Sequence, residues 1–172
     1  MSRGFITGLP RSRTHWFAEY FSHYCPSYHE PTNGILSKDE LYQMIDNQCV
    51  ISDSALFITD VFERYPNVPV VVIERDTDDV WESLCDYFES QGLPTPSYDF
   101  LLKQKTAVDQ IKGLRVSFDE INGRLPEITR HFGFEYDEEW GEALKGVNSQ
   151  VLKLTANPES YDLWGVFEGL VA

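Results

Sequence analysis

Apolar positions along the chain change period several times, and each change predicts an element. Gly4 to Thr7 is a short apolar run that stops at Gly8-Leu9-Pro10, a strand followed by a turn. From Thr14 the apolar residues Trp16, Phe17, Tyr20, Phe21 and Tyr24 repeat with the spacing of one helix face. Thr14 or Ser12 offers the N-cap hydroxyl, Pro26 closes the helix, and Cys25 to Gly34 reads as a loop. Ser37 and Glu40 have the spacing of a capping box for a helix through Gln48. Cys49 to Ser52 predicts a second strand and Asp53 to Tyr65 a helix returning from it. Val68 to Ile73 is unbroken and β-branched, as in a central parallel strand covered on both faces. Helices follow over Asp76–Ser90 and Tyr98–Lys112, parted by a break over Gly92–Pro96. Leu114–Phe118 alternates as a strand, and Asp119–Phe132 and Asp137–Leu144 have helical spacing.

Strands alternating with helices predict a parallel sheet with helical crossovers. No repeat, low-complexity tract or long linker divides the 172 residues, so the expectation is a single α/β domain with its core over 4–145 and a weakly patterned tail over 146–172. Hydrophobic residues make up 42% of the chain, enough for a packed core.

Charge narrows the ligands. The formal net charge is -14, which opposes nucleic-acid polymers and anionic membranes as partners. Residues 1–36 nevertheless hold three arginines (Arg3, Arg11, Arg13) against two glutamates, while the other 136 residues hold 11 basic and 26 acidic side chains. A small cationic spot on an acidic protein suits a compact anion. Cys25, Cys49 and Cys85 are scattered, with no CxxC pair, which points to reduced thiols in a cytoplasmic protein and to neither a disulfide framework nor a metal site. No apolar run is long enough to span a membrane, and the first residues lack the apolar stretch of a signal peptide.

In open parallel sheets ligands bind beyond the carboxyl ends of the strands. Two segments lie there with suitable chemistry. Thr7-Gly8-Leu9-Pro10-Arg11-Ser12-Arg13-Thr14 joins the first strand to the first helix, where free backbone N–H groups favour an anion. Arg11 adds a permanent charge with several donors, and Ser12 and Thr14 add hydroxyls. The loop lacks the second Gly and the Lys of a Walker A sequence. Arg75 leaves the strongest strand, and Ser83 follows it two helical turns into the next helix, a grip for a second phosphate. A turn with exposed arginines, and an Arg75 that merely neutralises Asp76, Asp78 and Asp79, are the plainer readings of each segment alone.

Together, TGLPRSRTHW and VVVIERDTDDVWESL resemble the sulfotransferase family. Its first loop is approximately T-x-P-[KR]-S-G-T-T-W and its second motif approximately R-[ND]-P-x-D-x-x-x-S. Arg11, Ser12, Thr14 and Trp16 match the first, and Arg75, Asp76, Asp79 and Ser83 the second. Downstream, LRVSFDEING resembles the family's V-x-Y-E-D-L, and LPEITRHFGFEYDEEW its F-L-G-L-x-x-D-E stretch. His29-Glu30-Pro31 resembles a tripeptide of small bacterial and phage-encoded relatives.

The resemblance implies a three-layer αβα fold of the P-loop NTPase-like kind. It implies 3′-phosphoadenosine-5′-phosphosulfate (PAPS) as donor, without a metal, and a small hydroxyl- or amine-bearing acceptor. Gly8, Arg11, Ser12, Arg13 and Thr14 would hold the phosphosulfate end, Arg75 and Ser83 the 3′-phosphate, and Arg11 would also balance charge during transfer. His29 or Glu30 is the candidate base, with Asp53 further out. His15, His23 and His131 read as ordinary helix positions, and Trp16 and Trp81 as packing residues or an adenine wall. Arg13 stands where the family has Gly and His15 where it has Thr, and the R-K-G segment of many relatives has no counterpart. Arg13 is thus either a lost backbone approach or an added ligand. A small nucleotide kinase and an inactive binding or structural protein on the same fold are the alternatives, and oligomeric state is left open.

Overall fold

The computed structural model describes residues 3–32 and 37–147. Its elements are β1 (Gly4–Gly8), α1 (Thr14–Ser22), β2 (Ser27–His29), α2 (Lys38–Asp46), β3 (Val50–Ser52), α3 (Val61–Arg64), β4 (Val70–Glu74), α4 (Thr77–Ser90), α5 (Tyr98–Asp109), β5 (Leu114–Ser117), α6 (Ile121–His131) and α7 (Glu138–Lys145). The strands form one sheet in the order β2-β3-β1-β4-β5, with every neighbouring pair parallel.

Alternation along the central strands divides the apolar side chains between two faces. Ile6, Val50, Val71, Ile73 and Val116 pack with Trp16, Phe17, Tyr20 and Phe21 of α1, Ile121, Leu125 and Ile128 of α6, and Leu144 of α7. Phe5, Ile51, Val70 and Val72 face the other way, onto Leu41, Tyr42 and Ile45 of α2, Val61 of α3, and Val108 of α5. The result is the three-layer αβα arrangement. Leu9 seats the loop after β1 among Val80, Leu84 and Phe88 of α4 and Leu101 of α5. Gly8 is required by a close approach: a Cβ there would stand 2.6 Å from the Ile73 carbonyl oxygen of β4.

Three expectations change. The segment Cys25–Gly34, read as a loop, contains the edge strand β2, whose three residues are too few to show a period; pairing with β3 makes it a strand. Asp53–Tyr65 is not a continuous helix. It is a 3-10 turn at Leu56–Ile58 followed by the short α3. Side chains here take the backbone groups that a helix would use: Asp53 accepts from the Ala55 N–H at 2.7 Å, and Thr59 Oγ1 donates to the Leu56 carbonyl at 2.7 Å. Finally, Thr14 is not the N-cap of α1. Arg13 holds that position in a left-handed conformation, φ 60°, without a side-chain cap bond. The capping box at Ser37 and Glu40 forms as the spacing predicts. Of the predicted tail, 148–172 lies outside the described residues.

Candidate functional site

β1 ends at Gly8, and the chain must turn sharply to start α1 at Thr14. It does so with Arg11 at φ 65° and Arg13 at φ 60°, conformations that cost non-glycine residues on the order of 1–3 kcal/mol. Between them Ser12 is fully buried, and its Oγ has no hydrogen-bond partner among the described residues. Thr7 Oγ1 and Ser52 Oγ, also at the carboxyl edge of the sheet, are in the same condition. Buried hydroxyls without partners beside a helix N-terminus suit a polar ligand.

Arg75 follows β4 and turns back onto this loop, where its Nη1 donates to the Arg11 carbonyl at 2.7 Å. Arg11 reaches the other way, donating from Nε to Ser83 Oγ at 3.2 Å and lying 5.0 Å over the Tyr87 ring. Arg11, Arg75 and Ser83 are therefore one linked cluster. The acids nearby are engaged elsewhere: Asp76 caps α4 by accepting from the N–H groups of Asp78 and Asp79, and Glu74 pairs with Arg115 at 2.9 Å. Among the described residues no carboxylate lies within 4.0 Å of the Arg11, Arg13 or Arg75 guanidinium. Burial lowers the proton affinity of Arg11 and of Arg13, and the positive charge of Arg75 acts on both in the same direction.

The third side of the site comes from β2. Its register with β3 puts His29 opposite Ser52, and there the chain turns back over the start of α1. Thr14 Oγ1 donates to Glu30 Oε1 at 3.2 Å and lies 3.2 Å from His29 Nε2. The His29 nitrogen is 3.4 Å from the same carboxylate oxygen, and the two side chains are 16% and 11% exposed. Ser54 Oγ donates to Glu30 Oε1 at 3.3 Å, and the His15 and His29 rings are 4.9 Å apart.

Beneath this corner Asp53 is completely buried and accepts from the Thr32 N–H, the Thr32 hydroxyl and the Ala55 N–H. Burial first, and the Glu30 charge second, raise its pKa above the ordinary carboxylate value.

The structure thus brings Gly8, Arg11, Ser12, Arg13, Thr14, Arg75 and Ser83 to one edge, with His29 and Glu30 reaching Thr14. Other residues lie elsewhere, including two of the histidines expected at ordinary helix positions. His23 pairs with Asp137 at 3.0 Å, and His131 faces the Val70 carbonyl at the opposite, amino edge. Trp16 is 2% exposed and donates to the Leu144 carbonyl, so it is core. Trp81 packs edge-on against Tyr98. Asp53 is spent on backbone and Thr32.

Tyr87, Phe118 and Asn122 were not singled out by the sequence. Tyr87 lies one helical turn after Ser83, which was a usable signal. Phe118 and Asn122 lie within the LRVSFDEING stretch that resembles the family's late strand, but no side chain of that stretch stood out as a site residue.

No family model and no curated protein matches the sequence. Solved structures do match. Mouse sulfotransferase SULT7A1 complexed with PAP superposes with a TM-score of 0.59 at 17% identity, over 83% of this chain and 62% of that one. A sulfotransferase from Alicyclobacillus acidocaldarius superposes with a TM-score of 0.54 at 13% identity, over 84% of this chain and 90% of that one. The chain has the sulfotransferase fold. It spans less than two thirds of the mouse enzyme. Within this fold the arginine cluster sits at the carboxyl edge of the parallel strands, where such sheets receive ligands.

Proposed function

We propose that the chain is a sulfotransferase that binds PAPS at the Arg11–Arg75–Ser83 edge and transfers its sulfonate to a hydroxyl or amine of a small acceptor. One observation carries the reading. Two arginines from different loops are joined to each other and to Ser83, have no carboxylate partner among the described residues, and lie beside the unpartnered Ser12 hydroxyl. Fixed cations beside unspent donors fit an anionic nucleotide.

Arg11, Ser12, Thr14 and the first N–H groups of α1 would hold the phosphosulfate end, and Arg75 with Ser83 the 3′-phosphate. The donor supplies a sulfonate attached to a good leaving phosphate. Guanidiniums fixed in place with no carboxylate in ion-pair contact among the described residues stabilise charge that builds on leaving and transferring oxygens, because no rearrangement is needed to meet it. Glu30 and His29 supply the proton acceptor: both reach the Thr14 hydroxyl at 3.2 Å, so a neighbouring acceptor oxygen or nitrogen is within their range. Gly8 keeps β1 close enough to β4 for Arg75 to reach the loop. The free thiols of Cys25, Cys49 and Cys85 accord with a cytoplasmic setting.

Adenosine 3′,5′-bisphosphate is expected to raise the Tm of the wild-type chain. Arg11→Ala and Arg75→Ala each remove charge-assisted bonds worth about 1.5–3 kcal/mol, a loss of roughly 10- to 100-fold in affinity, and should erase the shift at moderate ligand concentration. An unchanged wild-type Tm at millimolar nucleotide would contradict the reading.

A further inference from the structure

Arg13 is expected from its place in the loop to face the phosphosulfate end, but the structure turns its guanidinium toward the Phe118 ring that Arg75 also meets. Arg13 occupies a left-handed position that glycine would take without strain, and its side chain reaches residues just past the end of β5. There its Nη1 donates to Asn122 Oδ1 at 3.0 Å, and its guanidinium lies 5.2 Å from the Phe118 ring centroid and 5.7 Å from that of Trp16. Arg75 lies 4.4 Å from the centroid of the same Phe118 ring.

Two guanidiniums from different loops thus share one aromatic ring, and the second is also bonded to the Arg11 loop. Asp119 is the nearby acid that offsets the Arg13 charge, but it makes no ion pair with it within 4.0 Å. Like charges gathered in partial burial repel one another, and a ligand carrying several negative charges relieves that repulsion more than a ligand carrying few. Asn122 and Phe118 hold the guanidinium in place beforehand, so little side-chain freedom is lost on binding.

We infer that Arg13 is a binding residue of this site, and that its guanidinium, sharing Phe118 with Arg75, selects nucleotides bearing two separate phosphate-type groups over those bearing one. This rests on the donor-nucleotide reading and extends it from which loop binds to how many charges the ligand must carry. The residue in the glycine's place is then an added ligand, with the strain of its backbone position as the cost.

The test is calorimetric titration of wild type and Arg13→Gly with adenosine 3′,5′-bisphosphate and with adenosine 5′-phosphate. Glycine keeps the left-handed backbone while removing the side chain, so the loop persists in the variant. Wild type should prefer the bisphosphate, and Arg13→Gly should reduce that preference about tenfold while holding the 5′-phosphate affinity within about twofold. Asn122→Ala, which frees the guanidinium without removing charge, should reduce the preference by a smaller factor, about threefold. An unchanged ratio in Arg13→Gly, or equal loss of both ligands, overturns the role of Arg13 alone. If wild type binds neither nucleotide, the donor reading falls and this inference with it.

Discussion

Asp53 is a carboxyl group held entirely out of water, and each of its hydrogen bonds serves the corner that carries His29 and Glu30. Its two bonds to Thr32 hold the chain just after Glu30, which itself adopts φ 44° and is anchored by its N–H to the Ser52 carbonyl at 2.9 Å. Because burial and the Glu30 charge raise its pKa, the folded state holds the Asp53 proton more tightly than the unfolded chain does. The sign follows from linkage. The folded state gains from the tighter proton below the ordinary carboxylate pKa, and loses that gain as pH rises through the raised value. Asn cannot ionise, so the Tm of Asp53→Asn relative to wild type should move in the variant's favour as pH rises from the ordinary carboxylate pKa through the raised value. A difference that stays constant across that range contradicts the assignment. The exposed carboxyls of Glu40, Glu127 and Asp137 have lowered pKa values and act in the opposite sense, but they are common to both proteins and cancel in the comparison.

The elements that build the site were readable in the sequence to the extent that they are periodic and long. The β-branched run ending in Ile73 and the aromatic face of α1 are central, and their burial follows directly from their pattern. The capping box at Ser37 and Glu40 is a local bond pair and was readable for that reason. β2 escaped because a three-residue edge strand has no period of its own. The helix expected over Asp53–Tyr65 failed because the Asp53 and Thr59 side chains take up backbone groups of the segment. The partners of the arginines lay beyond the local pattern as well: Asn122 is 109 residues from Arg13, and Ser83 is 72 from Arg11.

The join between β1 and β4 gives a prediction at this scale. Gly8→Ala puts a Cβ 2.6 Å from a backbone oxygen that a sheet strand cannot readily withdraw, and should cost about 1–3 kcal/mol in chemical denaturation. It should also weaken nucleotide binding, since Arg75 and the Arg11 loop approach across that join. A variant with wild-type stability would show that the strands can separate there freely.

On the scale of the molecule, a net charge of -14 surrounds an edge with three guanidiniums that have no carboxylate within ion-pair range among the described residues. Such a contrast disfavours extended polyanions, which would meet the acidic remainder of the surface, and admits a compact one. Among the described residues no helix is long and apolar enough to cross a membrane. The most direct test is a native mass spectrum of the wild-type chain before and after addition of adenosine 3′,5′-bisphosphate. The account predicts one nucleotide bound per chain without added magnesium, and none in Arg75→Ala at the same concentration. An unshifted wild-type spectrum, or a shift with magnesium ATP alone, contradicts it.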